Sequence, residues 1–307
     1  MKNQEKCLKN KILELPLIKK FNQWNPKYKA MFIVGLIMAA INLSSLIVYF
    51  WWSIEKNINS LKQDNFYTLL PKWTKENPTF RPDALALMWS NTLTFTMISN
   101  WILTINLIVF PFLQNSQKAK VWFFTANVLI TITFSIYWSL IFPTYFKGKA
   151  AILEKWYLAF YSTILHAVNP AIGFVFLGLV KKDIKLRTID LWKTNIFVIC
   201  YFTFALITFF IGEKIKNVAP NADENVYKSF HITIYDFLNF KHPLFYGLGW
   251  AKKSYNLPLV VVLDIVMFLV AFFLTPALAY LWKAIYKIEI IKCNKTKVEQ
   301  SQPMVQE

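Results

Sequence analysis

An apolar stretch in the middle of the chain carries a histidine together with several small polar side chains. The stretch spans residues 156–180, contains no charged residue, and is long enough to cross a bilayer as a helix. His166 lies inside it, and Ser162, Thr163 and Asn169 lie three or four residues from it. Side chains at these spacings share one face of an α-helix, so the ring and the small polar groups are predicted to lie together.

The proline that comes next predicts an unpaired backbone acceptor beside this ring. Pro170 has no amide hydrogen, so the carbonyl four residues earlier, that of His166, loses its helical donor. A titratable ring and a free carbonyl are costly in hydrocarbon, and ionisable groups at membrane depth are typical of functional sites. The alternative interpretation is a structural histidine that forms hydrogen bonds between helices.

A second apolar stretch carries hydroxyl and amide side chains at a regular spacing. Its polar residues recur at every fourth position, with one serine beside them: Thr92, Thr96, Asn100, Thr104 and Ser99. This spacing predicts one polar stripe along a helix. Such a stripe either joins helices by hydrogen bonds or contributes to a site.

The last apolar stretch contains a single acid, Asp264. An ionisable group in such a run is expected to face the interior of a helix bundle, either in a site or in a hydrogen bond to another helix. With a helical rise of about 1.5 Å per residue, Thr96, His166 and Asp264 each lie about 16–20 Å from the charge that flanks their helix. The three side chains are therefore predicted to lie in one layer of the membrane.

A hydroxyl, an imidazole and a carboxylate at one depth are the parts of an activated-nucleophile site. A threonine hydroxyl needs an adjacent base, and His166 is the only histidine within an apolar stretch. We therefore interpret Thr96 as a nucleophile, His166 as its general base and Asn100 as a donor to the developing oxyanion. The groups predicted to hold the imidazole tautomer or to support the site are Ser162, Asn169, Asp264 and Ser99.

The composition of the 307 residues indicates an integral membrane protein. Hydrophobic residues make up 56% of the chain, and long apolar runs recur along it. The net charge of +17 is expected to lie in cytoplasmic loops and against anionic headgroups, so nucleic-acid binding is not predicted. The cysteines lack metal-ligand spacing, and His231, Asp236 and His242 are too widely spaced for a metal site, so neither a metal nor another cofactor is predicted.

The apolar stretches predict an all-α bundle of six transmembrane helices. The predicted spans are residues 30–54, about 87–113, 121–141, 156–180, 194–212 and 257–282. They form one membrane domain, 30–285, between a basic tail, 1–29, and a polar tail, 286–307. An even number of spans places both tails on one side. The higher density of Lys and Arg on that side predicts that both tails are cytoplasmic. We expect the membrane to be the plasma membrane.

Three short motifs resemble those of a known family of membrane proteins. They are FTMISNWIL at 95–103, LHAVNP at 165–170 and YDFLN at 235–239. In this order they resemble the androgen-induced-gene family, and more closely its prokaryotic six-span relatives, which show F-T-x-x-S-N, H-x-x-x-P and Y-P-F-L-acid segments. The resemblance covers about residues 85–285.

The resemblance implies a threonine hydrolase that cleaves fatty-acid esters of hydroxy fatty acids. By motif position, Thr96 would be the nucleophile and His166 the base. The sequence departs from the family's Y-P-F-L-acid segment at two positions. Asp236 stands where the family has proline, and Asn239 stands where it has an acid. Thr94 also lies two residues from Thr96, although only Thr96 is placed as the motif requires.

Residues and resemblance together predict an intramembrane hydrolase of fatty-acyl esters, with membrane lipids around it and a lipophilic small molecule as its substrate. The alternative is a non-enzymatic six-span protein, either a small-molecule or proton-linked transporter or a scaffold. The sequence shows no internal repeat, which disfavours an inverted-repeat transporter.

Overall fold

The described part of the chain is almost entirely helical, which confirms the all-α prediction. The computed structural model describes residues 16–63, 84–145, 155–218, 232–245 and 256–291. The α-helices are α1 Pro16–Gln23, α2 Pro26–Gln63, α3 Ala84–Thr92, α4 Phe95–Val109, α5 Gln117–Ile136, α6 Phe142–Tyr145, α7 Trp156–Thr163, α8 Asn169–Val180, α9 Thr188–Lys193, α10 Asn195–Val218 and α11 Leu257–Tyr286. The remaining elements are the 3-10 turns Phe110–Phe112, Asp236–Leu238 and Pro243–Phe245, the π-helical turns Tyr137–Ile141 and Ile164–Val168, and the strands β1 Lys185–Leu186 and β2 Glu289–Ile290.

Six segments within the described residues are long and apolar enough to cross a membrane. They are Pro26–Lys56, Phe95–Phe112, Gln117–Ser139, Trp156–Val180, Thr188–Lys214 and Leu257–Tyr286. A helix satisfies its own backbone hydrogen bonds, which is why apolar segments of this length cross hydrocarbon as helices. The protein is therefore a multi-pass integral membrane protein, as its composition predicts.

Residues on both sides of the predicted membrane domain pack against it. Helix α1 and the first turn of α2 lie within the segment predicted to be the N-terminal tail, and Trp24 and Tyr28 are buried in the main core. At the other end, β2 pairs in parallel with β1, with Leu186 opposite Ile290. Composition alone does not reveal the contacts at the N-terminal end, because Trp24 and Tyr28 lie in a segment rich in lysine.

The third span is the centre of the bundle. Within its most apolar window, 61% of the residues are buried inside the protein, against 11% for the sixth span. Helix α5 packs against α4, α8 and α11. The close approach of α8 to α4 and α5 depends on Gly173, because a Cβ at this position would lie 2.9 Å from atoms of both Leu103 and Asn127. Spans two, three and four are thus held tightly together, whereas α11 presents most of its surface outward.

The second span is broken near its start, so the predicted continuous helix over 87–113 is wrong. Helix α3 ends at Thr92 and α4 begins after Thr94, whose hydroxyl caps the new helix by accepting the Met97 N–H at 3.3 Å. The Tyr201 hydroxyl donates to the Leu93 carbonyl at 2.9 Å, inside the break. Threonine hydroxyls compete with the helix for backbone groups, and a polar cap therefore replaces the turn. Because Thr92 lies on the other side of the break, it does not belong to the predicted stripe.

The fourth span contains a π-helical turn at the histidine. The Asn169 N–H reaches back five residues to the Ile164 carbonyl, and Pro170 supplies no donor to the His166 carbonyl. That carbonyl accepts a hydrogen bond from Trp138 Nε1 at 3.1 Å. The carbonyl that Pro170 frees from the helix is therefore present, and a side chain of the third span satisfies it.

Candidate functional site

The structure brings Thr96 and His166 together. Thr96 Oγ1 lies 3.4 Å from His166 Nε2, across the contact between α4 and the π-helical turn of the fourth span. His166 Nδ1 lies 2.8 Å from the Ser162 carbonyl, which can only accept, so Nδ1 carries the proton and donates. Nε2 is then the acceptor and faces the threonine hydroxyl. This is the tautomer that a general base requires.

An aromatic ring fixes the plane of the imidazole. The Tyr137 ring stacks on His166 with centroids 3.9 Å apart and an interplanar angle of 10°. The Ser162 hydroxyl donates to the Tyr137 hydroxyl at 3.1 Å and lies 3.4 Å from His166 Nδ1. Tyr137 therefore holds the face of the imidazole ring and the Ser162 carbonyl holds Nδ1. Only Nε2 is left to interact with Thr96.

Thr96 lies in the first turn of α4, where the helix dipole is positive. Its N–H donates to the Tyr235 hydroxyl at 3.3 Å. Burial raises the pKa of the Tyr235 phenol, so the hydroxyl stays protonated and can itself donate. A positive helix end and a phenol beside the hydroxyl favour negative charge at this position. Tyr235 is not among the predicted site residues, although it is the first residue of the YDFLN motif.

A chain of buried amides supports the two reacting groups from behind. Asn100 Nδ2 donates to the Thr96 carbonyl at 2.8 Å and to the Leu165 carbonyl at 3.1 Å. Asn169 Nδ2 donates to Asn100 Oδ1 at 2.7 Å and to Asn42 Oδ1 at 3.0 Å. Both amide hydrogens of Asn100 are therefore occupied, and this geometry does not support its predicted role as an oxyanion donor. Asn42, in the first span, is not among the predicted residues because no spacing pattern points to it.

The other predicted residues divide between supporting and distant positions. Buried Ser99 bonds Thr133 Oγ1 at 2.7 Å and so joins the second span to the third. Asn169 does not bond the imidazole, because the Ser162 carbonyl takes the role predicted for it. Thr163 is exposed and donates to the carbonyl of Ala159, so it lies outside the site.

Asp264 is not part of the site. It is absent from the walls of the cavity that contains Thr96 and His166, and no hydrogen bond joins it to His166 within the described residues. The buried Oδ1 atom of Asp264 has no hydrogen-bond partner among the described residues. The prediction of one shared layer rested on depth alone. The depth of a residue in the membrane does not determine how its helix is rotated about the helix axis, and so it does not determine which way the side chain faces.

The reacting pair lies in the wall of an apolar cavity of about 300 Å³. Four polar side chains lie together on one side of this cavity: Thr96, Tyr137, His166 and Tyr235. Most of the other lining residues are aliphatic or aromatic and come from α5, α10, α11 and the segment 232–245. Such a cavity suits an extended hydrocarbon chain with one reactive polar group.

The YDFLN segment forms a turn below this cavity. Asn239, which stands where the resembling family has an acid, is buried, and its Oδ1 accepts the N–H groups of Lys241 and His242. It therefore has a local turn-forming role. The side chain of Asp236 and the whole of His231 lie outside the described residues. Among those described, no three His, Cys, Asp or Glu side chains come close enough to hold a metal.

A comparison of the chain with family models, with curated proteins and with solved structures finds no match. Fold and site define the class by themselves. The protein is a six-span α-helical membrane protein in which a hydroxyl and an imidazole meet at the wall of an apolar cavity.

Proposed function

We propose that the protein is an intramembrane hydrolase of fatty-acyl esters, with Thr96 as nucleophile and His166 as general base. The observation that carries the proposal is the contact of 3.4 Å between Thr96 Oγ1 and His166 Nε2, with Nδ1 donating to the Ser162 carbonyl. A hydroxyl, a base and a group that orients the base form the arrangement that activates a weak nucleophile. The distance is at the long end for a hydrogen bond, as is common in sites without substrate.

The reaction divides into two steps that use the same two groups. Thr96 Oγ attacks the ester carbon while Nε2 of His166 takes its proton, and Tyr235 donates to the carbonyl oxygen as that oxygen gains charge. The acyl–oxygen bond breaks, and His166 returns the proton to the departing alkoxide. Water then attacks the acyl–threonine bond, with His166 again as the base. This releases a carboxylic acid and restores the Thr96 hydroxyl.

The cavity supports a lipophilic substrate. Because its walls are mostly apolar side chains, it would hold the acyl chain beside Thr96, and a lipid ester would enter from the bilayer. No step requires a metal or another cofactor. The proposal agrees with the resemblance to the androgen-induced-gene family. We also propose that the protein lies in the plasma membrane with both termini in the cytoplasm.

Covalent labelling tests the proposal. Detergent-purified protein is treated with lipophilic fluorophosphonates of several chain lengths, and incorporation is followed by in-gel fluorescence and by mass spectrometry of the modified peptide. We expect the wild-type protein to be labelled at Thr96. Thr96→Ala should abolish labelling, and His166→Ala should slow it by about a hundredfold or more, since a general base contributes about that factor.

Two variants serve as controls. Thr163→Ala removes an exposed hydroxyl that bonds only its own helix within the described residues, and it should leave labelling unchanged. Thr96→Ser keeps a nucleophile and should retain labelling. Thermal unfolding confirms that each variant is folded. If folded wild-type protein takes up none of the probes, the hydrolase proposal fails, and flux measurements would then test the transporter alternative.

A further inference from the structure

A second and smaller cavity reaches the same reacting pair from the opposite side. It has a volume of about 200 Å³ and shares Thr96, Tyr137, His166 and Tyr235 with the larger cavity. Its remaining walls come from α2, the break between α3 and α4, and the fourth span. The four shared side chains therefore separate two compartments.

The two compartments differ in polarity. Most residues lining the smaller cavity carry a side-chain nitrogen or oxygen, among them Tyr49, Asn91 and Ser162, whereas most residues lining the larger one are hydrocarbon. The Ser162 hydroxyl in the wall of the smaller cavity donates to the Tyr137 hydroxyl at 3.1 Å. The wall surface of both cavities is mostly hydrocarbon, but the smaller cavity offers water more hydrogen-bonding groups than the larger one does.

Polar contacts continue from the smaller cavity toward one face of the membrane. Asn91 Nδ2 donates to Ser53 Oγ at 3.0 Å, and beyond it Lys155 pairs with Glu55 at 2.9 Å. Both contacts lie near the end of α2 that is far from Pro26, hence on the face opposite the N-terminal helix.

We propose that the smaller cavity is a hydrated compartment that receives the alcohol portion of the ester and supplies the hydrolytic water. The inference rests on the proposed hydrolase function. An ester whose carbonyl carbon lies at Thr96 must extend its acyl chain and its alcohol in different directions, and the apolar cavity suits the acyl chain. The alkoxide leaves on the polar side, where His166 returns its proton, and water enters by the same path to cleave the acyl–threonine bond.

Substrate selectivity gives the first test. Leu46→Phe reduces the smaller cavity and Ala271→Phe the larger one, and neither residue belongs to the reacting groups. Turnover is measured with one series of esters that varies the acyl length and a second that varies the alcohol. We expect Leu46→Phe to lower kcat/KM by about tenfold for bulky alcohols at every acyl length. Ala271→Phe should discriminate against long acyl chains whatever the alcohol.

Water access gives a second test that needs no turnover. In a background with all three cysteines replaced by alanine, Leu46→Cys and Ala271→Cys are treated with a cationic, membrane-impermeant methanethiosulfonate. The hydrated compartment predicts rapid modification of Leu46→Cys and little modification of Ala271→Cys.

The outcomes separate the two proposals. Equal selectivity changes in both phenylalanine variants, or an unreactive Leu46→Cys, would overturn the two-compartment inference even if esters are hydrolysed. Folded wild-type protein that hydrolyses no ester would overturn the hydrolase proposal together with the alcohol assignment. The reaction of Leu46→Cys with the methanethiosulfonate would still report whether the smaller cavity is hydrated.

Discussion

Hydrogen bonds join the buried polar side chains around Thr96 and His166, and this pairing fixes the geometry of the two groups. The Ser162 carbonyl determines which nitrogen of His166 carries the proton, and Asn100 links the Thr96 carbonyl to the backbone of the fourth span. Unpaired polar groups are costly in hydrocarbon, so such a network resists rearrangement. The geometry of the Thr96–His166 pair therefore depends on side chains that are not members of the pair.

Asn42 is the outermost member of this network and gives a stability prediction. It is fully buried, donates to Thr104 Oγ1 at 2.9 Å and accepts from Asn169. We expect Asn42→Leu to lower the free energy of unfolding by about 1 kcal/mol, because it removes the hydrogen bonds that Asn42 makes to two buried side chains on other spans. Thermal or denaturant unfolding in detergent measures the effect.

Asn106→Leu is the matched control, since Asn106 is half-buried and donates to the carbonyl of Ile102 on its own helix. It should change stability less than Asn42→Leu. Equal effects of the two substitutions would show that the interhelical amide network contributes no specific stabilisation.

At the scale of secondary-structure elements, the site is positioned by irregular helix geometry. His166 lies in one π-helical turn and Tyr137 begins another, and each turn is followed by a proline, Pro170 and Pro143. The two rings stack on each other between these turns. On the facing span, the helix break places Thr96 in a first turn. The reactive groups thus meet where three helices depart from regular α geometry.

The cap at the helix break can be tested at Thr94. Thr94→Ala removes the hydroxyl that accepts the Met97 N–H and should lower the free energy of unfolding by about 1 kcal/mol. Thr94→Ser keeps the cap and should remain within a few tenths of the wild-type value. Unfolding in detergent compares the variants.

Thr92→Ala serves as the control for the cap, because the Thr92 hydroxyl is described only as donating to the Trp89 carbonyl of its own helix. It should have little effect on stability. A Thr94→Ala variant that is as stable as the wild type would mean that the break does not depend on the side-chain cap.

At the scale of the whole molecule, the side of the bundle that carries α1 is closed by contacts between distant parts of the chain. Asp183, in the loop after the fourth span, bonds Lys27 and the Tyr28 hydroxyl at the start of α2. The strands β1 and β2 join the same loop to the residues after α11. These contacts tie the first, fourth and sixth spans together outside the hydrocarbon.

This closure makes stability depend on pH at Asp183. Burial acts to raise the pKa of this carboxyl, but the hydrogen bonds from Lys27 and Tyr28 outweigh it and lower the pKa below the usual 3.8. A group with a lowered pKa in the folded state stabilises the protein above its unfolded pKa and loses that contribution as the pH falls. Asp183→Asn should therefore cost about 1 kcal/mol at pH 7, kept small because 34% of the side chain is exposed to screening solvent.

Unfolding in detergent at a series of pH values measures this contribution. The difference between wild type and Asp183→Asn should shrink as the pH is lowered below 3.8. Glu289→Gln removes a partner of Lys185 that is 62% exposed, and this control should have a smaller effect. A difference that is independent of pH would rule out the charged form of Asp183 as the source of the stabilisation.

The sequence by itself determined the properties that depend on local composition. The six runs fixed the number and type of spans, because apolar segments of that length must satisfy their own backbone bonds in lipid. Pro170 likewise fixed the loss of a helical donor to His166, which is a covalent property of the proline ring. The motifs also singled out Thr96 and His166, which the structure places in contact.

Only the tertiary structure decided which side chains face one another. It placed Asp264 away from the cavity, occupied both donors of Asn100, and brought in Asn42 and Tyr235. Spacing along one helix gives the depth and face of a residue relative to its neighbours in that helix. It does not give the rotation or shift of that helix against the others, because these are set by packing between residues far apart in the chain, such as Gly173 against Leu103.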